Sequence, residues 1–558
     1  MVNKQGLSEN VSQQTSKTGK IKILNFQKFL ELKWIVWIKA RLSIFCRLTA
    51  THTCHYLVEN IFSTSEKIFW FMLFSISSVI AGILLWYSLY LSSDTPTVTV
   101  VETTHYPVYK IPFPGVTICS SNKISKKAIM ALARELKNPK QNATLNDNLA
   151  ILKLISGYMD LASSYGSSYK DLDNLLAYNK ININYVMSRV MPLCNEIVEK
   201  CFWLGTEVRC DAFFKPIDTF QGLCCAFNYI GLKATSKTTS QGSNSILQQV
   251  KLVSASGPSS GLIVVLNPLS EDYFYSRFRM TGFRVIIHDS YDFPELNAPN
   301  LMIQQGYVSY IGVMPEYTYS KDEIYGKDIS IRQCYGEDEI DMNVMKKYSF
   351  INCMVECRRL IAYQLCKCIP YNFPKNGTLP TCTATKQTCI MQFNRIINDV
   401  NPQINESIGL MPDLPWRQDS CNCLASCKYY QYTAEVSQGK ANFNSSVKSQ
   451  FYLRGFKPGN QSILHVFYTD IVTTVYRRDM FLNWMSVLAM FGGFTGLFMG
   501  VSLVGFYEIS YVFTVRNIFD YLAERSRKIF VKKMKKRESE DYRRKSRIQF
   551  DLQENLKY

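Results

Sequence analysis

Two sets of residues in this chain of 558 have types and spacings that could do chemistry. The first lies in an uncharged run, Met480 to Tyr507, and in Glu508 just after it. Gly492, Gly493, Gly496, Gly500 and Gly505 interrupt the run, and Ser502 adds a hydroxyl. A glycine weakens a helix by about 1 kcal/mol relative to alanine, so a plain lipid-facing anchor gains nothing from five of them. Gly496 and Gly500 form a G-x-x-x-G pair, the spacing at which membrane helices pack closely. Packing explains the glycines but not the acid, because a carboxylate facing lipid costs at least a few kcal/mol and normally faces water or a partner. Glu508 also suits the cytoplasmic interface, since only seven uncharged residues separate it from Arg516. Backbone bared at glycine offers carbonyl oxygens that can replace the hydration shell of a small, hard cation. Together these residues point to an ion path.

The second set is the cysteines, eighteen in all. Cys366-Lys-Cys368 and Cys421-Asn-Cys423 lack the two-residue spacer of common zinc knuckles, so no metal site is expected, and bridges are the better reading outside the cell. Nucleophilic or metal-assisted catalysis has little support: the chain has no His-Glu-x-x-His and no Gly-x-Ser-x-Gly, and its five histidines are scattered. No enzyme activity and no cofactor are expected. His105, His288 and His465 are possible pH sensors, although single outer histidines more often serve packing.

A second uncharged run, Ile68 to Ser93, lies far upstream of the first. The two runs hold 26 and 28 residues, against the roughly 20 needed to cross a bilayer core. Sixteen of the eighteen cysteines lie between them, whereas Cys46 and Cys54 precede both. Residues 1–67 hold ten Lys or Arg against four acids, and residues 516–558 hold fourteen against seven. Basic flanks stay in the cytoplasm, so both termini are expected inside and the cysteine-rich stretch outside, in a two-span protein of the plasma membrane. The first run then acts as an uncleaved signal anchor. Most of the net charge of +18 is thereby topology; the basic tail reads as a stretch beside acidic lipids and not as a nucleic-acid arm. Sequons at Asn142, Asn376, Asn405, Asn444 and Asn460 fall in the outer stretch as candidate glycosylation sites, although Asn10 carries one on the cytoplasmic side.

The expected architecture is an α+β membrane protein: cytoplasmic residues 1–67, a span at 68–91, an outer cysteine-rich domain at 92–479, a second span with the pore at 480–515, and a basic tail at 516–558. Thr95 to Cys119 is β-branched and proline-punctuated, as a strand leaving the membrane would be. Lys126 to Leu136 and Asp171 to Val190 read as peripheral helices. Lys233 to Ser245 reads as an exposed loop. Gly261 to Asn267 and Gly282 to Asp289 read as buried strands, and Tyr429 to Val436 and Ile463 to Tyr476 as strands returning to the membrane. Cys334 to Cys427 looks like short helices stapled by bridges. No Pro- or Gly-rich linker divides the outer region, so one domain is expected there.

Gly496-Leu-Phe-Met-Gly-Val-Ser502 closely resembles the G-L-F-x-G-x-S pore signature of the degenerin and epithelial sodium channel family. Further blocks follow the family's order: Phe113-Pro-Gly-Val-Thr-Ile-Cys119, Gly222-Leu-Cys-Cys-Ala-Phe-Asn228, Gly282-Phe-Arg-Val-Ile-Ile-His288, Cys353-x-x-x-Cys357, Cys366-Lys-Cys-Ile-Pro370 and Cys421-Asn-Cys-Leu-Ala-Ser-Cys427. The adjacent Cys224 and Cys225 resemble the insect pickpocket branch. The resemblance implies a homo- or hetero-trimer of sister subunits around one pore. Each subunit would carry an ectodomain with a β-sheet core and helical finger and thumb. Sodium would pass through passively, and amiloride would block it. It implies that Gly500, Val501 and Ser502 form the selectivity filter and that Ala489 is the degenerin position, where bulk holds such channels open. Glu508 would be the acid of the inner half of the span, with Gly492, Gly493 and Gly496 lining the pore.

By the same resemblance, the bridges would be Cys334–Cys427, Cys353–Cys423, Cys357–Cys421, Cys366–Cys389, Cys368–Cys382, Cys119–Cys224 and Cys201–Cys210, leaving Cys194 and Cys225 as an eighth pair. Two departures matter. The family's His-Gly gating segment reads His52-Thr53 here, and Thr lacks the backbone freedom of Gly. Met490 stands where acid-sensing relatives carry an acid, and the tail lacks Pro-Pro-x-Tyr. Purinergic receptors and class B scavenger receptors also have two spans around a large outer domain, but the purinergic receptors lack the Gly496 to Ser502 signature and a scavenger receptor needs no polar filter. A non-conducting surface receptor, or a subunit that conducts only with sister subunits, is the alternative.

Overall fold

The computed structural model describes residues 35–554 apart from 50–52, 95, 141–142, 160–168, 234–248, 277–279, 296–299, 376–378, 399–420, 442–455 and 458. The chain forms two compact units: Thr97–Met480, and the two chain ends Met1–Pro96 with Phe481–Tyr558. Nothing divides the cysteine-rich unit further. The exposed loop expected at Lys233 to Ser245 falls almost wholly outside the described residues, as do Asn142, Asn376, Asn405 and Asn444. Asn460 lies exposed in a turn just before strand Ser462–Tyr468.

Two sheets build the cysteine-rich unit. The larger, of eight strands, runs Thr97–Pro107, Val472–Met480, Tyr307–Ser320, Ser462–Tyr468, Leu262–Leu266, Val198–Trp203 and Thr206–Val208, with Lys428–Lys440 added along Tyr307–Ser320. The smaller, of five strands, runs Asn300–Gln304, Gly282–His288, Gly115–Ser120, Gly222–Phe227 and Phe214–Thr219. Three of the sequence blocks noted above are therefore neighbours in one sheet. One contact shows why they travel together. His288 pairs in register with Gly115, and a Cβ on residue 115 would lie 2.4 Å from His288 Cε1. Only glycine fits there.

The five-stranded sheet is buried on both faces, which gives its strands near-continuous apolar runs instead of alternation. Val116, Ile118, Phe227, Val285 and Ile287 join Leu262, Val264, Leu464 and Val466 of the larger sheet in one core. Ala226 and Ile286 face the other way, into a core shared with Val355, Ala362 and Cys366 of helix Phe350–Cys366. Side chains alternate along a strand. Neighbouring Cys224 and Cys225 therefore point to opposite faces, and each needs its own partner: Cys224 bonds Cys119 within the sheet, and Cys225 bonds Cys194 on the other side.

A third core holds the peripheral helices Lys126–Glu135, Leu145–Leu152, Leu154–Met159, Tyr169–Tyr178 and Ile183–Val190, joined through Leu132, Leu172, Leu176 and Val186. The single helix expected over Asp171 to Val190 is split in two. Lys180 takes a left-handed backbone, and the Asn182 side chain accepts the Tyr185 amide at 2.8 Å to start the second helix. The strand expected over Ile463 to Tyr476 is likewise two, Ser462–Tyr468 and Val472–Met480.

Three bridges staple helix Phe350–Cys366 to the segments around it. Cys353 and Cys357 stand one turn apart on helix Phe350–Cys366 and meet Cys423 and Cys421 in reverse order, so the returning segment runs antiparallel to the helix. Cys334–Cys427, Cys366–Cys389, Cys368–Cys382 and Cys201–Cys210 complete eight bridges, the same pairs the resemblance implies. Cys46 and Cys54 are free thiols.

In the chain-end unit, helix Thr64–Asp94 begins before the uncharged run does. Ser63 and Glu66 cap it reciprocally: the Ser63 amide donates to Glu66 Oε2 at 2.7 Å, and the Glu66 amide to Ser63 Oγ at 3.4 Å. The span expected at 68–91 therefore lies inside a longer helix. Its large apolar side chains, such as Phe69, Phe71 and Trp86, are exposed, as a lipid-facing surface would be. Among the described residues, Thr64–Ser93 is the one single helix long and apolar enough to cross a membrane. The second uncharged run qualifies only as a bent pair, Trp484–Met499 with Leu503–Ser546, turned by 76°. The described residues thus hold one membrane-length helix and one broken pair. The basic tail, to which the sequence reading gave no regular structure, is a helix, Arg516–Glu554, with i,i+4 ion pairs Glu524–Lys528 at 2.7 Å and Lys536–Glu540 at 3.9 Å.

Peptide mapping under non-reducing conditions is expected to return a linked Cys194–Cys225 peptide; two free thiols there would contradict the pairing. Replacing both with Ala should lower unfolding stability by about 3 kcal/mol, read from denaturant midpoints without reductant.

Candidate ion pathway and gating segment

Asn483 starts the first half of the broken pair by accepting the Ser486 amide at 2.8 Å. The helix then runs from Trp484 to Met499 and packs against Thr64–Asp94. Ala489, Gly493, Gly496 and Gly500 recur at spacings of four, three and four, which places them on one helical face. A Cβ built at Gly492 or Gly493 meets no atom within 4 Å, and one at Gly496 meets only the Val501 carbonyl oxygen at 3.6 Å. Nothing among the described residues demands glycine at these three positions.

Gly500 is different. Its φ of 69° lies in the left-handed region, and its amide donates to the Gly496 carbonyl at 3.0 Å, a glycine-capped helix end. The Val501 amide donates to the Thr495 carbonyl at 3.2 Å. Ser502, extended at φ −120°, accepts the Gly505 amide on Oγ at 3.3 Å and so caps the next helix, Leu503–Ser510. Gly500, Val501 and Ser502 are thus the whole of the break. The last carbonyls of a helix have no partner inside it, so a break here leaves backbone oxygens available beside the Ser502 hydroxyl.

Glu508 lies in the helix after the break, and its Oε2 is buried without a hydrogen bond among the described residues. A π-helical turn, Tyr511–Val515, follows and leads into the tail helix.

His52 lies outside the described residues, and Thr53 opens the short helix Cys54–Val58 with φ 73°. That conformation suits glycine and is an outlier for a β-branched residue. The turn is thus retained at the expense of local strain. Cys46 and Cys54 flank it with their sulfurs 2.8 Å apart, and burial, then the neighbouring thiol, push Cys46 up to about 12. The helix at 35–48 also reaches the far end of the sequence: Arg41 pairs with Asp520 at 2.9 Å, and Trp37 meets Phe513 edge-on with centroids 6.3 Å apart. Sequence reasoning missed these contacts, since no local pattern links residues so distant.

Two of the histidines considered as pH sensors serve packing instead. His288 is buried, bonded to Thr117 Oγ1 and the Asp289 carbonyl, each at 2.8 Å, and burial pushes its pKa down to about 4. His465 is buried, stacked on Tyr310 at 4.6 Å, and also lowered by burial.

A membrane-length helix, a second apolar helix broken at a glycine, and a disulfide-stapled domain joining them define the class of membrane channel subunits. The chain belongs to the amiloride-sensitive sodium channel family, whose model matches residues 45–512. It is similar to Pickpocket protein 11 of Drosophila melanogaster, 25% identical over 487 residues covering 87% of this chain and 78% of the relative. Sodium channel protein Nach of Drosophila ananassae is 25% identical over 86% of this chain and 87% of its own. The bile acid-sensitive ion channel of Mus musculus is 23% identical over 84% and 87%. The family and these relatives are ion channels, and the chain is not an enzyme.

Two substitutions follow from this geometry. Thr53→Gly should relieve about 1–2 kcal/mol of backbone strain and protect the amides of Cys54–Val58 against hydrogen exchange; unchanged protection would show the turn to be unstrained. Gly500→Ala should weaken the helix end by about 1 kcal/mol and speed exchange at the Gly500 and Val501 amides.

Proposed function

We propose that the chain is a subunit of a trimeric, sodium-preferring, amiloride-sensitive cation channel of the plasma membrane, with two spans and both termini in the cytoplasm. Its ectodomain converts a stimulus into opening of a passive pore. The observation that carries this reading is the break at Gly500 to Ser502, where a left-handed glycine ends one apolar helix and a serine caps the next. Freed carbonyl oxygens and a hydroxyl suit a partly dehydrated sodium ion. Gly500, Val501 and Ser502 act as the filter, and Ala489, about three turns before the break on the same face as Gly493 and Gly496, is the gate.

The glycines at 492, 493 and 496 support assembly. The chain itself leaves space for a methyl group at each, so close approach of sister copies is what their small size serves. Glu508 then faces the inner mouth or a neighbouring copy, which gives its bare oxygen a partner or water. The basic flanks sit against acidic lipid headgroups on the cytoplasmic side.

The strained Thr53 favours a second reading, in which the subunit gates poorly alone and conducts only beside sister subunits whose gating turn carries glycine. Whole-cell recording of Ala489→Val separates the two. A constitutive sodium current blocked by amiloride from this chain alone supports the first; current only on co-expression supports the second. Silence alone and with every sister subunit would argue for a non-conducting receptor. Replacing Ser502 by Ala should change the ratio of sodium to potassium permeability, and an unaltered ratio in a conducting variant would remove Ser502 from the filter.

A further inference from the structure

A cavity of about 720 Å³ opens inside the cysteine-rich unit where three parts of it meet: strands Tyr307–Ser320 and Lys428–Lys440, the loop after strand Gly282–His288, and the first turn of helix Phe350–Cys366. Its wall is aromatic, with Phe293, Phe350, Tyr429, Tyr430 and Tyr432. Tyr429 and Phe350 are 41% and 39% exposed, so rings are accessible. Asp289 and Asp292 line this cavity, and both also line an adjoining one of about 200 Å³.

These two carboxyls have no ion pair among the described residues. Lys347 and Lys428, which line the smaller cavity, are held by Glu337 at 2.7 and 3.5 Å. Arg358 is engaged by Glu295. Arg478 lines the larger cavity without an ion pair to either aspartate. Asp289 Oδ1 accepts the Tyr291 amide at 2.8 Å, and Asp292 is hydrogen-bonded to Ser349. Burial raises the pKa of both carboxyls, and the Asp292 charge adds to the rise at Asp289. Crowded, partly desolvated carboxylates are stabilised by a proton or a cation. A second observation is independent of the acids. Ser320 lines the same cavity, is 4% exposed, and its hydroxyl makes no hydrogen bond among the described residues.

Among the described residues, no group of three His, Cys, Asp or Glu stands together to hold a metal ion. A cavity of this size walled by π faces suits an organic cation better than a bare one, because aromatic faces attract cations and also pack against an apolar body. We propose that this cavity is a binding site for a small arylalkyl ammonium, its charged head on Asp289 and Asp292 and its ring against Tyr429 and Phe350. A ligand seated there touches both the thumb helix and the sheet.

The test is equilibrium binding of labelled 2-phenylethylammonium to the purified full-length protein at neutral pH. Its readout is binding, so it stands apart from whether the chain conducts. Saturable binding is expected, uncompeted by the neutral isostere 2-phenylethanol and weakened about tenfold in Asp289→Asn. It should also decline as pH falls and the two carboxyls take up protons. Absence of saturable binding to the wild-type protein, equal competition by the alcohol, or undiminished binding to Asp289→Asn overturns the proposal. If that variant fails to elute as the wild-type protein does, exposed Tyr429→Leu carries the test, and unchanged affinity in it overturns the proposal equally.

Discussion

The pairing of the first and last strands of the cysteine-rich unit governs much else in the molecule. Thr97 and Met480, the two ends of that unit, face each other in register, and the antiparallel ladder continues through Val101 opposite Tyr476 to Pro107 opposite Val472. Both chain ends therefore leave the unit side by side. Strand Val472–Met480 is not free to slide, because it also runs parallel to Tyr307–Ser320, with Tyr317 opposite Val475 and Ser320 opposite Arg478. A slip of one residue would turn Val475 out of the core and expose it.

From that ladder a contiguous line of structure reaches the disulfide-stapled helix Phe350–Cys366. Tyr307–Ser320 pairs along its length with Lys428–Lys440, which begins one residue after Cys427, the last rung of the staples. Tyr317 stacks on Tyr430 with centroids 4.9 Å apart and meets Tyr106 at a tilt, 6.2 Å away. Charged groups hold the lower end: Arg477 pairs with Asp479 at 2.9 Å and lies 3.6 Å from Glu102, and Lys321 reaches Asp479 at 3.2 Å. These pairs are half-exposed, so their net contribution is small and falls with salt. The stiffness of the line comes from the sheet and the disulfides.

How much of this was legible depends on the range of the interaction responsible. Uncharged runs, β-branched stretches and the Gly500 to Ser502 break are local patterns, and elements lie within them, although Thr95 to Cys119 and Ile463 to Tyr476 each hold two strands where one was expected. Sequence spacing alone left the pairing of Cys224 and Cys225 open; only the resemblance suggested partners. The fold supplies the reason, since period-two alternation sends adjacent cysteines into different cores. Elements ended where backbone conformation intervened. Lys180 in the left-handed region split a helix whose apolar periodicity ran on. The cavity beside Asp289 was not legible at all, because its walls come from separate segments spread from Thr99 to Arg478 that no local pattern links.

The glycines of the broken pair show how the two kinds of information combine. Composition treats five glycines in an apolar run as one signal, yet they answer different demands. Gly500 is explained within its own backbone: a left-handed helix end at φ 69° excludes most other residues. Gly492, Gly493 and Gly496 have room for a side chain in the isolated subunit and weaken the helix for no gain there. A small residue without an internal reason implies an external one, either another surface at close range or a channel whose bore a methyl group would narrow. Gly500 sets where the helix stops, Gly505 lends its amide to the Ser502 cap, and Gly492, Gly493 and Gly496 constrain what can stand beside the helix. The proposed pore rests most on the glycines for which the described residues of the single subunit supply no need.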